Sequence, residues 1–346
     1  MTVPILKDRA GQIINKWQDW TDTRELYYWT EGRKEMELAR AWFESNAFED
    51  SAPQCPLKFQ ALFARNTHTA CIEIDEGYSD FFTALPERGV SQHDLMLKAH
   101  THKGSCIICI TASVDEPFGK KIGDYWQEAK TYDEFDYFDE PPRAPERIQA
   151  LLEIVFGTKA HPDQQPWCDL RYELLEAVAG TLLLAASEQV PLAVFAVHEF
   201  RMPLAKPESL KANAEDYARF VGALFSIRRT SNTQMYGPLR VQAGSHLPQS
   251  VELFVGKATT KCHRLFPGSI AEQMVTDGRS EELFYILLSE YKYLKKHRDN
   301  LPFHHLARSI DWKWVCSNSG SDENTKKRLR VIIERDIPDL WPFLWP

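Results

Sequence analysis

Two adjacent segments limit the possible fold more than any other feature of the chain. Residues 169–187 carry apolar side chains at helical spacing along one face. The apolar run 190–197 follows after a short polar interruption and is far shorter than the ~20 residues of a membrane-spanning helix. We therefore predict a helix that leads into a buried strand, an arrangement typical of α/β sheets covered by helices.

The surrounding patterns extend this arrangement in both directions along the chain. Alternating and apolar runs predict further strands, and a turn at residues 100–104 joins two of them. In chain order the predicted elements are helix 33–46, strands 71–75, 94–99 and 106–111, helix 169–187, strand 190–197, helix 214–225, and strands 239–241 and 251–255. The expected fold class is α/β, with a mixed central sheet flanked by helices.

The length of the chain indicates more than one folded unit. Its 346 residues exceed what one hydrophobic core usually supports. From about residue 266 the pattern becomes mostly helical, and 281–297 is the clearest element. We expect an α/β domain over residues 1–258 and a smaller, mostly helical C-terminal region over residues 259–346.

The composition and the amino-terminal sequence indicate the class of protein and its location in the cell. With 43% hydrophobic and 26% charged residues, the chain resembles ordinary soluble globular proteins and not collagen-like, coiled-coil or wholly disordered ones. The amino terminus lacks the apolar segment of a secretory signal, so we expect a cytoplasmic protein without membrane association. Seven scattered cysteines form no disulfide framework, and free thiols are predicted.

Charge limits the ways in which this chain could bind nucleic acid. A formal net charge of −8 argues against binding through bulk charge, so any phosphate contact needs a local basic patch. Lys295, Lys296 and Arg298 form the candidate patch for substrate binding; the alternative is a solvated helix end that complements the helix dipole. The aromatic tail 337–346 is expected to fold back on the body of the protein or to pack on a partner, either another protein or a second copy of this chain.

Five short stretches resemble an uncharacterised bacterial domain family over roughly residues 30–258. They lie at residues 37–43, 91–94, 114–119, 170–175 and 193–200. Members of that family carry Glu-Gly-Lys before the Val-Asp-Glu-Pro-Phe-Gly stretch, and this tripeptide resembles the E-x-K half of a PD-(D/E)XK nuclease site. The order helix, three strands, helix, strand is also the core order of that superfamily. The resemblance implies a restriction-endonuclease-like fold.

The resemblance also implies a metal site, and this chain departs from it. In such a site an Asp and a Glu hold Mg²⁺, and a Lys orients the attacking water or offsets charge on phosphate. Asp94 matches the first acid. The positions of the Glu and the Lys are occupied by Thr111 and Ser113, so two charges of the E-x-K motif are missing.

Strand periodicity suggests which residues could replace them. Side chains two apart share a face, so Asp94 and Lys98 would point the same way if their strand is regular. On the next strand Thr111, Ser113 and Asp115 would share a face. The candidate catalytic residues are Asp94, Asp115, Glu116, Lys98 and Lys120. The candidate Mg²⁺ ligands are Asp94, Asp115, Glu116 and Glu37, and Arg171 at the start of the second core helix is a candidate phosphate contact.

Three functions remain open at this point. The first is a nuclease-like protein with a degenerate metal site that binds nucleic acid or a protein partner without cleaving. The second is an active Mg²⁺-dependent nuclease with relocated ligands, and the third is a protein-interaction subunit of a bacterial defence or restriction assembly. Phosphate-binding G-x-x-x-x-G-K-[ST] loops, dinucleotide-binding G-x-G-x-x-G fingerprints, G-x-S-x-G and H-E-x-x-H motifs do not occur in the sequence.

Overall fold

A computed structural model describes residues 4–20, 33–43, 52–133, 143–201, 207–231 and 234–262. Nearly all of these residues belong to one compact unit, which comprises residues 1–29, 34–201 and 206–261. The basic patch with Lys295, Lys296 and Arg298 lies outside the described residues, as does most of the predicted helical C-terminal region.

The described residues form a mixed sheet of seven strands, which confirms the predicted α/β class. The strands are β1 Ile5–Lys7, β2 Glu73–Ala84, β3 Val90–Thr101, β4 Gly104–Ser113, β5 Leu192–Arg201, β6 Met235–Val241 and β7 Val251–Lys261. Their order across the sheet is β1-β2-β3-β4-β5-β7-β6. The β2, β3 and β4 strands are antiparallel neighbours, whereas β4, β5 and β7 run parallel. The carboxyl ends of β4, β5 and β7 therefore meet at one edge of the sheet.

Six helices in the described residues flank this sheet. They are α1 Lys34–Phe43, α2 Leu57–Phe63, α3 Ile122–Asp133, α4 Ala144–Phe156, α5 Tyr172–Ser187 and α6 Pro207–Phe225. The sequence patterns did not predict β1, α2, α3 or α4. Pro145 lies in the first turn of α4, where its missing N–H costs no helical hydrogen bond. None of the described helices combines the length and apolar character that a membrane crossing requires.

The predicted pair of helix and buried strand lies at the centre of the main core. We use this term for the buried cluster formed by one face of the sheet with α3, α4, α5 and α6. Leu174, Val178 and Leu182 of α5 are at most 1% exposed, and full burial of such a side chain stabilises the fold by about 1.5–3 kcal/mol. The other face of the sheet is covered in part by α2, where Leu62 contacts Gly256 of β7.

In the middle of β2 the side chains stop alternating regularly between the two faces of the sheet. Register pairs Ser79 with Leu95 and Phe81 with His93, and Asp80 between them has a φ of +48°. In a regular strand Tyr78 and Phe81, three residues apart, would point to opposite faces. Here both pack against the main core, and their ring centroids are 6.0 Å apart. The alternation of faces is therefore interrupted at Asp80.

The alternation of side chains is also interrupted in β3, at the position opposite Asp80. Met96 belongs to the main core, so a regular strand would turn His93 away from it. His93 nevertheless lies against α5, because a Cβ added to Gly180 would be 3.1 Å from its Nε2 atom. Asp94 lies directly across from Asp80, at the point in β3 where the regular alternation of faces is interrupted.

Candidate functional site

Asp94 lies where the ladder between β3 and β4 ends. The last register pair of that ladder is Leu95 with Ile110. Beyond it the backbone N–H of Ala112 donates to Asp94 Oδ2 at 2.7 Å, so a side-chain oxygen takes the place of a backbone acceptor. Asp94 is 7% exposed. One of its two carboxylate oxygens is thus engaged in holding the end of β4.

The other oxygen of Asp94 is held by an ammonium group. Lys34, the first residue of α1, places Nζ 3.1 Å from Asp94 Oδ1. The negative charge of Asp94 raises the pKa of Lys34 well above its usual range, against the opposing effect of burial. Lys34 is therefore a cation at neutral pH, and it neutralises the acid that the resemblance assigns to Mg²⁺.

Three more carboxylates lie close enough to Lys34 and Asp94 to influence their charges. Burial raises the pKa of Glu35 to about 7, and the charges of Asp94 and Glu116 add to this effect while Lys34 opposes it. Glu173 is exposed, yet partial desolvation and the same two carboxylates raise its pKa as well. The ammonium of Lys34 thus interacts with four acids at this edge of the sheet, and the charge of Arg171 also acts on Glu173.

The two acids after β4 differ in what the structure shows of them. Glu116 Oε2 accepts a hydrogen bond from the backbone N–H of Val114 at 3.2 Å, and the charge of Glu116 acts on Lys34. Asp115 is half-buried next to it. Both lie directly after the end of β4 at Ser113, so Glu116 is grouped with Asp94 as the sequence suggested.

The other predicted ligands and catalytic lysines form ion pairs with residues other than Asp94. Glu37 is buried and pairs with Arg40, whose Nη1 is 3.5 Å from its Oε1. Lys98 Nζ lies 3.7 Å from an oxygen of Glu76. Its register partner on β4 is Ile107, five residues before Ala112, so Lys98 belongs to another part of the sheet. Lys120 forms an exposed ion pair with Glu128 of α3.

Thr111 and Ser113, which lie where the resemblance expects the charges of an E-x-K motif, differ in their contacts. Ser113 Oγ lies 3.5 Å from Asn213 Nδ2 of α6, and the same amide donates to the backbone oxygen of Glu116 at 2.7 Å. Thr111 Oγ1 is buried and has no hydrogen-bond partner among the described residues. Neither hydroxyl supplies the charge that a glutamate or a lysine would bring to this site.

Arg171 joins three segments at the edge of the site. Its Nε donates to Asp216 Oδ2 at 2.7 Å, and its Nη1 donates to the backbone oxygen of Gly119 at 2.8 Å. Asp216 is buried and also binds Arg219, whose Nη1 lies 3.0 Å from Oδ1. Gly119 itself has a φ of +67°, and a Cβ there would come within 2.9 Å of Glu173. The guanidinium is thus committed to internal contacts.

A further buried ion pair, which sequence reasoning missed, lies at the carboxyl ends of β5 and β7. Lys257 Nζ is 2.6 Å from Glu199 Oε2, and both side chains are at most 4% exposed. Arg201 Nε binds the other oxygen of Glu199 at 2.7 Å. Glu199 is in register with Ser113, and Lys257 lies 5.3 Å from the ring of Tyr217. Only the strand order, which joins residues 58 positions apart, could have revealed this pair.

His198, the neighbour of Glu199, lies on the other face of β5. Its ring centroid is 4.9 Å from that of Phe59, and its Nε2 is 2.9 Å from Thr260 Oγ1. Burial lowers its pKa to about 3, so the imidazole is neutral. A neutral histidine packed among aromatic rings is a structural residue of this face.

The described residues do not fit a Mg²⁺ site. Within them no group of three or more His, Cys, Asp or Glu side chains is arranged to hold a metal ion. Asp94 is bound to Lys34 and Ala112, and Glu37 to Arg40, so their oxygens face protein donors. Five cysteines in the described ranges are free thiols: Cys55, Cys71, Cys106, Cys109 and Cys168.

Comparison with known proteins gives a match to a protein-family model. The family model of a domain of unknown function, DUF6946, matches residues 13–262 and so covers the described sheet and its helices. No curated protein and no solved structure matches the chain.

Proposed function

The chain belongs to the family of this domain of unknown function, and we propose that it is a nuclease-like protein with a degenerate metal site. In this proposal it is a silent relative of PD-(D/E)XK nucleases that acts in the cytoplasm by binding nucleic acid or a protein partner. Kinship is supported by the order of α1, β2, β3, β4, α5 and β5, with β4 antiparallel to β3 and parallel to β5. Such a likeness of topology is an analogy and assigns no activity by itself.

One observation carries the proposal: the ammonium of Lys34 lies 3.1 Å from the carboxylate of Asp94. An ammonium and a metal ion compete for the same carboxylate oxygen, because both are cations that need its lone pairs. A divalent ion would have to displace Lys34 and then remain beside its positive charge. The missing glutamate and lysine at Thr111 and Ser113 remove the two groups that would offset this cost.

The charges around Asp94 also bear on the choice of partner. Lys34, the described lysine that contacts Asp94, lies among three further acids, Glu35, Glu116 and Glu173. This edge of the sheet therefore repels phosphate. Contact with nucleic acid would then depend on the predicted basic patch with Lys295, Lys296 and Arg298. A protein partner with a basic surface would suit the acidic edge itself.

The proposal is tested with the full-length chain, Mg²⁺ or Mn²⁺, and a panel of single-stranded, duplex and branched DNA and RNA. We expect no cleavage of any substrate above a metal-free control. Metal-dependent cleavage that the Asp94→Ala variant abolishes would refute the proposal. It would support instead the active nuclease with relocated ligands, for which the grouping of Glu116 with Asp94 is the favourable observation.

Nucleic-acid binding separates the two silent alternatives. If the basic patch binds nucleic acid, the affinity falls steeply as salt rises, and substituting Lys295, Lys296 and Arg298 by Ala lowers both the affinity and its dependence on salt. If no binding occurs at low salt, the protein-interaction subunit of a defence or restriction assembly becomes the better account, in line with the net charge of −8.

A variant designed to gain metal binding also tests the proposal. The triple substitution Lys34→Met, Thr111→Glu and Ser113→Lys removes the competing cation and restores both charges of the E-x-K motif. We expect this variant to bind Mn²⁺ with a dissociation constant at least tenfold below that of the wild type. The matched control, Lys34→Met with Thr111→Val and Ser113→Ala, has no new charges and should not gain affinity.

A further inference from the structure

Asp80 adopts a backbone conformation that is unusual inside a strand. Its φ of +48° lies in the left-handed region, although β2 continues for several residues on both sides. Outside glycine, Asn and Asp enter this region more readily than other residues, because their short polar side chains can bond locally. Few residue types can therefore occupy this position without backbone strain.

The unusual residue lies directly across the sheet from Asp94. The flanking register pairs are Ser79 with Leu95 and Phe81 with His93, which leaves Asp80 opposite Asp94. Both strands change face at this point, as the common packing of Tyr78 and Phe81 against the main core demonstrates for β2. The alternation of faces is thus interrupted at Asp80 in β2 and at Asp94 in β3.

The change of face determines where the carboxylate of Asp94 goes. In a regular strand Asp94 would share a face with Met96, which is 1% exposed in the main core. An ionised carboxylate there would lose its hydration without gaining a partner. With the interruption, the carboxylate instead meets the ammonium of Lys34 and the backbone N–H of Ala112.

From this geometry we infer that Asp80 is a positioning residue, whose left-handed backbone aims the carboxylate of Asp94 at Lys34. The inference rests on the candidate site that underlies the proposed function, and it adds a residue that shapes it from the neighbouring strand. The requirement is for the backbone conformation of Asp80, whose φ of +48° glycine adopts without strain. Glycine should therefore replace Asp80, whereas a β-branched residue should not.

The test measures the chemical reactivity of the Lys34 amine in the full-length chain. Acetic anhydride acylates only neutral amines, and the extent at each lysine is read by mass spectrometry after a short pulse at pH 8. In the wild type Lys34 should react slowly, because Asp94 holds its ammonium in the protonated form. Each unit of pKa that Lys34 loses raises the neutral fraction, and so the rate, about tenfold.

Four variants make the result specific. Asp80→Val should raise the rate of Lys34 at least tenfold, to the level of Asp94→Asn, whereas Asp80→Gly should keep the slow rate of the wild type. Asp75→Val is the matched control, because Asp75 lies on the same strand without a positive φ, and it should leave Lys34 slow. Circular dichroism verifies that each variant is folded.

The inference is overturned if folded Asp80→Val leaves Lys34 as slow as in the wild type, or if Asp80→Gly speeds it as much as Asp80→Val does. Should Asp80→Val not fold, Asp80→Ala takes its place with the same two outcomes. These results are independent of catalysis. Metal-dependent cleavage by the wild type would refute the proposed function and leave the role of Asp80 standing.

Discussion

Removing the ammonium of Lys257 should strongly destabilise the fold. The Lys257→Met variant keeps the length of the side chain but leaves Glu199, which is 4% exposed, without its closest cation. Burial on its own would raise the pKa of Glu199, and the hydrogen bonds and charges of Lys257 and Arg201 together outweigh this effect and lower it. Breaking a buried pair in this way costs about 3–5 kcal/mol. Because Arg201 still holds one oxygen at 2.7 Å, we expect the lower end, about 3 kcal/mol.

The assay is urea unfolding at pH 7, followed by circular dichroism. Lys211→Met is the matched control: its Nζ lies 3.8 Å from Glu215, and the two side chains are 79% and 59% exposed. An exposed pair of this kind contributes about 0–0.5 kcal/mol. The double variant Lys257→Met with Glu199→Gln should recover much of the loss, because the buried charge is gone. A loss below about 1 kcal/mol for Lys257→Met, or a double variant no more stable than the single one, would refute this reasoning.

Two further predictions concern the candidate site. Burial holds the pKa of Glu35 at about 7, above its ordinary value of 4.5, so the folded state resists its ionisation and loses stability as the pH rises between these values. Glu35→Gln should therefore be more stable than the wild type at pH 8 by about 1–3 kcal/mol and equal to it at pH 4; equal stability at both pH values in urea unfolding would contradict this. Arg171→Ala should cost about 2–3 kcal/mol in thermal or urea unfolding, because the buried Asp216 keeps only Arg219. Unchanged stability with weaker nucleic-acid binding would assign Arg171 to phosphate instead.

The fold class could be predicted because it depends on local patterns. The apolar face of α5 and the apolar run of β5 are buried as their periodicity indicates, and the turn before Gly104 closes the expected hairpin. The helices α3 and α4 escaped prediction, since an acidic and aromatic segment between them obscured their ends. Helix α2 spans only Leu57–Phe63, too short for a clear period.

The details of the site depend on tertiary structure and could be predicted only in part. The expectation that Asp94 and Lys98 share a face assumed a regular strand, and the backbone of Asp80 breaks that regularity from the neighbouring strand. Lys34 lies 60 residues from Asp94 in sequence, and only the docking of α1 brings the two together. Glu35 reaches the site with α1, whereas Glu173 reaches it with α5. Their signal in the sequence was limited to acidic residues in the first turns of two predicted helices.

The most direct test of a degenerate metal site is calorimetric titration of Mg²⁺ and Mn²⁺ into the full-length wild type at pH 7. If the ammonium of Lys34 takes the place of a metal ion on Asp94, only the heat of dilution will be observed up to millimolar metal. Saturable binding of one or two ions per chain that the Asp94→Asn variant abolishes would contradict this account.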